Sequence, residues 1–270
     1  MINREFVRKS FEEYSGRYDA SKLKIKLKIE HTYRVAALSD RISDSLGLSK
    51  EDKDIAWIIG MLHDIARFEQ VRIYDSYNDA QTVDHAQFGA DLLFGGELST
   101  GKSNKLISDY VREGELGRED LKLIETAIRN HNKYRIDKDL SEREILFCNI
   151  IRDADKVDII KANTDFPLWE IYNVSSEELA SAPITPEVLE AFNEGHAILR
   201  SLKKSPADNI LGHLSLCYEL VFKESFVALK EYGYLEKFLE YESDNPDTRI
   251  ILQNAKRRIF AYIDKAIKTK

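Results

Sequence analysis

Apolar side chains recur at helical spacing along most of the chain. Residues 4–20 place aromatic and charged side chains at this spacing, which predicts an amphipathic helix docked on the rest of the protein. From Lys22 to Ile29, lysine alternates with leucine or isoleucine, a period of two that alone favours a strand. Because Val35 and later apolar residues continue at intervals of three and four, we predict a helix that ends at Gly47. We expect its first lysines to face solvent.

Capping signals mark the starts of two further helices. Ser49, followed three residues later by Asp52, resembles a capping box in front of an apolar helical stripe. Ser141 and Glu144 repeat the pattern in front of a second stripe that continues to residue 165. The segments predicted between these two helices are a polar loop over 68–82, a short helix over 84–94, an irregular stretch over 97–117 with a short helix from Lys105 to Arg112, and a helix that ends at His131.

The pattern changes beyond Asp165. The segment Phe166–Trp169 contains a proline and interrupts the preceding helix. Thr185 and Pro186 then resemble the cap and first residue of a new helix. The helices predicted in this part of the chain cover residues 186–203, 209–230 and 247–268.

These elements predict an all-α protein. We expect a helical bundle over residues 1–165, in which residues 1–20 form the docking helix. Residues 166–270 are predicted to form a helical extension packed on the same body, because no long flexible linker separates the two parts.

The composition fits a globular protein rich in helix. The 270 residues are 43% hydrophobic and 32% charged, and helix breakers are scarce, with 12 glycines and 5 prolines. No apolar run approaches the roughly 20 residues that cross a membrane, and no N-terminal signal segment is recognisable. We therefore expect a cytoplasmic protein without a membrane partner.

Cysteine usage and net charge narrow the classes of partner. Cys148 and Cys217 are the only cysteines and have no CxxC spacing, which argues against a thiolate zinc site or a disulfide framework. A net charge of −7 argues against a long nucleic-acid partner. A small phosphorylated substrate needs only a local basic pocket, so this class of partner remains.

An adjacent histidine and aspartate, His63 and Asp64, end the apolar run Gly60–Leu62. Such polar groups are costly at the edge of a core unless they are satisfied, and imidazole and carboxylate are both ligands of divalent metal ions. The pair therefore predicts a metal site. His31 and Asp155, in other predicted helices, are the candidates for further ligands.

The order of these residues resembles that of the HD-domain phosphohydrolases, which have a lone histidine, a His-Asp pair and a late aspartate. Asp155 matches the late aspartate because Lys156 follows it and Asp158 stands three residues on. The resemblance covers roughly residues 25–165. It implies a helical bundle with a metal-dependent phosphomonoesterase or phosphodiesterase site. The metal ligands implied by this match are His31, His63, Asp64 and Asp155.

The resemblance also implies a second metal ion. Binuclear branches of the superfamily often have two further histidines between the His-Asp pair and the late aspartate, and His85 and His131 fall in that interval. Asp64 would then bridge two ions, one of them bound by His85 and His131. Nitrogen and oxygen ligands with several imidazoles favour iron, manganese or zinc over magnesium or calcium, with one or two ions per chain.

Hydrolysis at such a site requires no covalent nucleophile. A bound metal ion lowers the pKa of water so that a hydroxide can attack phosphorus in line, and Asp64 is expected to be catalytic through its place at the ions. Positive side chains should neutralise the phosphoryl oxygens; Lys156 is the first candidate, and Arg34 and Arg67 are further phosphate-binding candidates. Asp158 could orient a water molecule or hold Lys156.

Residues that distinguish branches of the superfamily narrow the function. Alarmone hydrolases carry an acidic pair shortly after His-Asp, whereas here Arg67 takes the first acidic position. The extra residues of deoxynucleotide triphosphohydrolases and the Gly-Tyr-Pro signature of the cyclic-dinucleotide branch are absent from the sequence. We expect a stand-alone hydrolase of a small phosphate ester or anhydride, with a nucleotide or dinucleotide as substrate. Two alternatives stay open: a di-iron oxygenase on the same scaffold, and a non-catalytic module that senses a nucleotide.

Overall fold

The computed structural model describes residues 1–96 and 106–269, which form α-helices and short 3-10 turns with no β-strand among them. The predicted all-α class is therefore confirmed. The chain divides into two compact units, Met1–Ala154 and Asp155–Lys270. Among the described residues, no helix is both long enough and apolar enough to span a bilayer.

Within the described part of the chain, eight helices begin in the first unit, and the last of them continues into the second. They are α1 (Arg4–Ser15), α2 (Leu23–Ser45), α3 (Lys50–Leu62), α4 (Ala66–Tyr74), α5 (His85–Phe94), α6 (Ile107–Tyr110), α7 (Arg118–Asn130) and α8 (Glu142–Asp165). The boundary between the two units lies inside α8, whereas the predicted division of the chain lies at its end.

The close packing of α2 against α3 sets the distance between the elements that carry the first histidines. A Cβ atom at Gly60 would lie 2.6 Å from the Cα atom of Ala36, so only glycine permits this approach. The other helix pairs that pack together include α2 with α4, α3 with α7, α4 with α5, and α5 with α7. The ends of several helices therefore come together in the interior of this unit.

Helix α1 docks on the body as predicted, although it ends at Ser15 and not at residue 20. Its buried face includes Phe11, whose ring meets that of Phe68 edge-on at a centroid distance of 5.8 Å. On the other side of α1, Arg4 donates hydrogen bonds to Asp40 and Asp54, each at 2.7 Å. Helix α1 is therefore held by buried aromatic contacts and by one arginine that pairs with two aspartates.

We expect Arg4→Ala to lower the free energy of unfolding by roughly 2 to 3 kcal/mol, because it leaves the buried Asp54 carboxylate without its cation. The side chain of Asp54 is only 5% exposed. Chemical denaturation measures the change. Lys9→Ala is the matched control, since the Lys9 side chain is 75% exposed and pairs with Glu13 at 4.0 Å; an equal loss in both variants would contradict the role given to Arg4.

The predicted loop over residues 68–82 is wrong in its first half, because α4 covers Ala66–Tyr74. Its polar sequence conceals a buried side that includes Phe68 and Val71. The helix ends at Asp75, whose φ of 48° is left-handed. Of the predicted irregular stretch, residues 97–105 lie outside the described residues, and the short helix predicted there is observed only as α6.

The second unit contains the remaining helices. They are α9 (Leu168–Tyr172), α10 (Ser176–Ser181), α11 (Pro186–Glu194), α12 (Asp208–Ser215), α13 (Lys223–Glu231), α14 (Tyr234–Phe238) and α15 (Pro246–Thr269). Helix α15 agrees with the prediction over 247–268, and its stripe of Leu252, Ala255, Ile259 and Ile263 is buried.

Two predicted helices of this unit are too long. The helix expected over 186–203 stops at Gly195, which adopts a φ of 83° that favours glycine. The helix expected over 209–230 is two helices, because the chain tightens into a 3-10 turn at Leu216–Glu219 and then becomes extended before α13. Apolar periodicity continues through both breaks, which explains why the sequence pattern did not reveal them.

Candidate metal centre

Four elements of the first unit bring buried histidines to one carboxylate. His31 lies within α2, and His63 and Asp64 occupy the junction between α3 and α4. His85 is the first residue of α5, and His131 follows the last residue of α7. All five side chains are buried. The structure therefore gathers five of the predicted ligands, although they come from distant parts of the sequence.

One oxygen of the Asp64 carboxylate faces the first two histidines. Asp64 Oδ2 lies 3.5 Å from His31 Nε2 and 3.6 Å from His63 Nε2. The two Nε2 atoms are 3.3 Å apart. These three atoms therefore surround a space in which a single cation could be bound.

The other carboxylate oxygen faces the second pair of histidines. Asp64 Oδ1 lies 3.3 Å from His85 Nε2 and 3.8 Å from His131 Nε2. These two Nε2 atoms are 2.9 Å apart. Each carboxylate oxygen thus has its own pair of imidazoles, which is the arrangement needed for a carboxylate that bridges two ions.

In three of the four imidazoles, a hydrogen bond at Nδ1 holds the ring so that its Nε2 atom faces Asp64. Nδ1 of His63 is 2.8 Å from the carbonyl oxygen of Gly60, and Nδ1 of His131 is 2.7 Å from that of Ile128. A carbonyl only accepts, so Nδ1 carries the proton in both rings and Nε2 keeps its lone pair. Such partners orient metal-binding imidazoles and increase their basicity.

His85 is oriented by a carboxylate, since its Nδ1 lies 2.7 Å from Asp79 Oδ2. Burial, followed by the charge of Arg67, lowers the pKa of His85 to about 4. The ring is therefore neutral at pH 7, as a metal ligand must be. Asp79 lies in the loop between α4 and α5, whose sequence carries no indication of this role.

Two cations flank the Asp64 carboxylate. Lys28 Nζ donates to Asp64 Oδ2 at 2.6 Å, and Arg67 Nε lies 3.6 Å from Asp64 Oδ1. Burial acts to raise the pKa of Asp64, but the Lys28 ammonium group and, after it, the neighbouring imidazoles hold that pKa well below its usual range. Asp64 is therefore ionised and able to bind cations at neutral pH.

Lys28 was not among the predicted site residues, and the expectation that it faces solvent is wrong. Its side chain is only 12% exposed. The signal that could have identified it is its spacing, since Lys28 and His31 stand three residues apart on the same face of α2.

Arg67 links the candidate metal centre to the loop that precedes α5. Its Nη1 atom donates at 2.9 Å both to the carbonyl oxygen of Tyr77 and to Asp79 Oδ1. The Tyr77 ring lies 5.2 Å from Lys28 Nζ and 5.4 Å from the Arg67 guanidinium carbon, measured to its centroid. Tyr77 therefore packs against both cations.

The remaining predicted site residues lie on α2 and α8. Arg34 lies beside Glu30 in α2, with 3.7 Å between Nη1 and Oε2. Asp155, Lys156 and Asp158 belong to the part of α8 in the second unit, where Lys156 and Asp158 are buried. Their predicted roles stay predictions.

The donors present fit a transition-metal ion. Four imidazoles and a carboxylate form a nitrogen and oxygen set suited to iron, manganese or zinc. Arg67 Nε is a buried donor that has no hydrogen-bond partner within the described residues. A water or phosphoryl oxygen at the ions would supply that partner, because Nε is 3.6 Å from Asp64 Oδ1.

The fold and this cluster define an all-α domain whose histidine and aspartate groups could hold metal ions. Residues 29–160 match the family model of the HD domain. This stretch of the chain is therefore an HD domain, and proteins that carry this domain are generally metal-dependent hydrolases. Searches among curated proteins and among solved structures found no match.

Proposed function

We propose that this protein hydrolyses a small phosphate ester or anhydride, most directly that of a nucleotide or dinucleotide, at a centre of two metal ions. The observation that carries the proposal is the division of the Asp64 carboxylate between two pairs of imidazoles. A carboxylate and one or two imidazoles per ion leave positions for water and a substrate oxygen.

The proposed ligands divide into two sets around Asp64. His31 and His63 would hold one ion, and His85 and His131 the other. Asp155 is proposed as a further ligand on the basis of the HD sequence pattern. When bound, each ion would supply Lewis-acid chemistry for the activation of water. The chain contributes neutral Nε2 donors that are already oriented by their Nδ1 hydrogen bonds.

Lys28 and Arg67 are the proposed partners of the phosphoryl oxygens. Both side chains lie beside the Asp64 carboxylate. The N–H group at Arg67 Nε, 3.6 Å from Asp64 Oδ1, has no hydrogen-bond partner within the described residues. Cations placed where negative charge develops stabilise the transition state of phosphoryl transfer. Lys156 and Arg34 remain proposed as additional phosphate-binding groups, and Asp158 as a residue that holds Lys156 or a water.

The proposed partner is a small molecule and not a long nucleic acid. The chain carries a net charge of −7, while the described cations at Asp64 are confined to a buried site. A phosphate backbone requires a broad basic surface, whereas one phosphoryl group requires only local cations. A cytoplasmic location is proposed because the sequence has no apolar run near the roughly 20 residues that cross a membrane.

Turnover of a substrate panel tests the proposal. Protein loaded with manganese, iron or zinc is incubated with nucleotides, dinucleotides and simple phosphate esters, and released phosphate or nucleoside monophosphate is measured. Metal-dependent release from at least one compound is expected. Consumption of dioxygen by the iron form with a polyol or phosphonate, without phosphate release, would favour the oxygenase alternative. Binding of a nucleotide without either reaction would favour the sensing module.

Lys28→Met is expected to lower kcat on the best substrate about a hundredfold, because it removes a donor that can turn from Asp64 to a phosphoryl oxygen. Steady-state kinetics measures the effect, and elemental analysis is expected to give unchanged metal content. Lys26→Met is the matched control, since the Lys26 side chain is 60% exposed in the same helix. Equal kcat values for the two variants would remove Lys28 from the proposed machinery.

A further inference from the structure

A polar cluster in the second unit has no part in the chemistry proposed above. It consists of Tyr172, Lys203, Asn209 and His213, and we call it the Lys203 cluster. The hydroxyl oxygen of Tyr172 lies 3.0 Å from His213 Nδ1, and Lys203 Nζ donates to Asn209 Oδ1 at 3.4 Å. All four residues are half-buried.

Lys203 lies against the backbone of α12 at Gly212. A Cβ atom at this glycine would stand 2.3 Å from Lys203 Nζ and 2.5 Å from its Cε. The missing side chain thus makes the space that the ammonium group occupies.

Lys203 has no carboxylate partner among the described residues, since its one hydrogen bond is to the neutral amide of Asn209. The nearby acid, Asp208, uses its oxygens elsewhere: Oδ1 accepts from Thr185 N at 2.8 Å, and Oδ2 accepts from Thr185 Oγ1 at 2.6 Å. Burial lowers the pKa of Lys203 to about 8, with a further contribution from Arg200. A cation in this position is costly until an anion approaches it.

His213 offers a second donor. Burial raises the pKa of Tyr172 well above its usual value, so its hydroxyl keeps its proton and can donate to His213 Nδ1. In that arrangement the proton of the neutral imidazole is on Nε2. No hydrogen bond to Nε2 is made within the described part of the chain. Burial and the charge of Lys203 lower the pKa of His213 to about 3, so the ring is neutral at pH 7.

We propose that Lys203 and His213 form a binding site for a small oxyanion, with Tyr172 as a positioning residue that directs the His213 Nε2–H toward it. The ammonium group supplies the charge and the imidazole supplies a directed donor. The ligand class is a phosphate or carboxylate group of a small molecule. This site is independent of the metal centre and of the proposed hydrolysis.

The test uses the full chain freed of metal by dialysis against a chelator, so that an anion cannot bind through metal ions. Inorganic phosphate and acetate are titrated separately at constant ionic strength, with chloride as the balancing anion. The ring resonances of His213, assigned with His213→Gln, are followed by NMR. A saturable shift with one probe is expected, and the probe that binds more tightly identifies the phosphate or the carboxylate class.

Lys203→Met is expected to weaken binding at least tenfold and to abolish the rise in Tm caused by the probe. Lys204→Met is the matched control, because Lys204 is its neighbour, is 64% exposed and pairs with Glu187 at 2.9 Å. Gly212→Ala is a second variant that displaces Lys203 without removing its charge, and it should weaken binding as well. The proposal would be overturned if neither phosphate nor acetate gave a saturable shift of the His213 resonances, or if wild type and Lys203→Met bound the probe equally.

Discussion

Asp64→Ala is expected to remove both metal ions and to lower hydrolysis at least a thousandfold. Its two oxygens face separate pairs of imidazoles, so a single substitution takes an oxygen ligand from each proposed ion. Metal ions contribute several kcal/mol to such reactions, and about 1.4 kcal/mol corresponds to a tenfold change in rate. Elemental analysis and turnover of the best panel substrate measure the two effects.

A control for Asp64→Ala must distinguish the effect of losing the metal ions from the effect of removing a buried carboxylate. Asp64→Ala also leaves Lys28 without the carboxylate that it contacts at 2.6 Å. Asp64→Asn keeps the shape of the side chain and should still lose metal. Asp91→Asn replaces another buried aspartate of the same unit, one that pairs with Arg129, and should keep its metal. Full activity in Asp64→Asn would contradict the bridging role.

His131→Ala is expected to reduce metal content from about two ions per chain to about one and to lower kcat roughly a hundredfold. Its Nε2 atom lies 2.9 Å from that of His85, so the variant leaves the second proposed ion with a single imidazole. The first pair of histidines is unchanged. Metal titration followed by elemental analysis measures the stoichiometry, and steady-state kinetics measures the loss of turnover.

His196→Ala is the matched control for His131→Ala. This histidine is partly exposed and pairs with Glu194 at 2.6 Å, away from any described group of candidate metal ligands. Its substitution should change neither the stoichiometry nor kcat. A His131→Ala protein that keeps two ions would show that the second pair of imidazoles has a structural role only.

Most candidate ligands of the metal centre were predictable because they stand in short sequence motifs. His63 and Asp64 are adjacent at the end of a helix, and their polarity conflicts with the apolar run before them. The HD pattern then predicted His31, His85 and His131 as further ligands. Asp79 carries no such signal, and Lys28 is marked only by its spacing of three residues from His31. Lys28 lies in an alternating run, and Asp79 reaches His85 only because Arg67 and Gln70 hold its loop in place.

The fold was predictable where a cap and an apolar stripe coincided, as in α3 and α8, and where a stripe alone was long enough, as in α15. Helix α4 was missed because polar residues, Arg67 and Gln70, share its buried side with Phe68 and Val71. In the second unit, the left-handed turn at Gly195 ended a helix whose apolar pattern continued. The periodicity of apolar residues indicates which face of a helix is buried, but it does not indicate where the helix ends and the chain turns.

Anomalous diffraction from crystals of the metal-loaded protein tests the central claim most directly. Data collected at the absorption edge of the bound metal should give two peaks on either side of the Asp64 carboxylate. One peak is expected within about 2.1 Å of the Nε2 atoms of His31 and His63, and the other within the same distance of those of His85 and His131. A single peak at saturating metal, or peaks that do not contact Asp64, would contradict the two-ion centre.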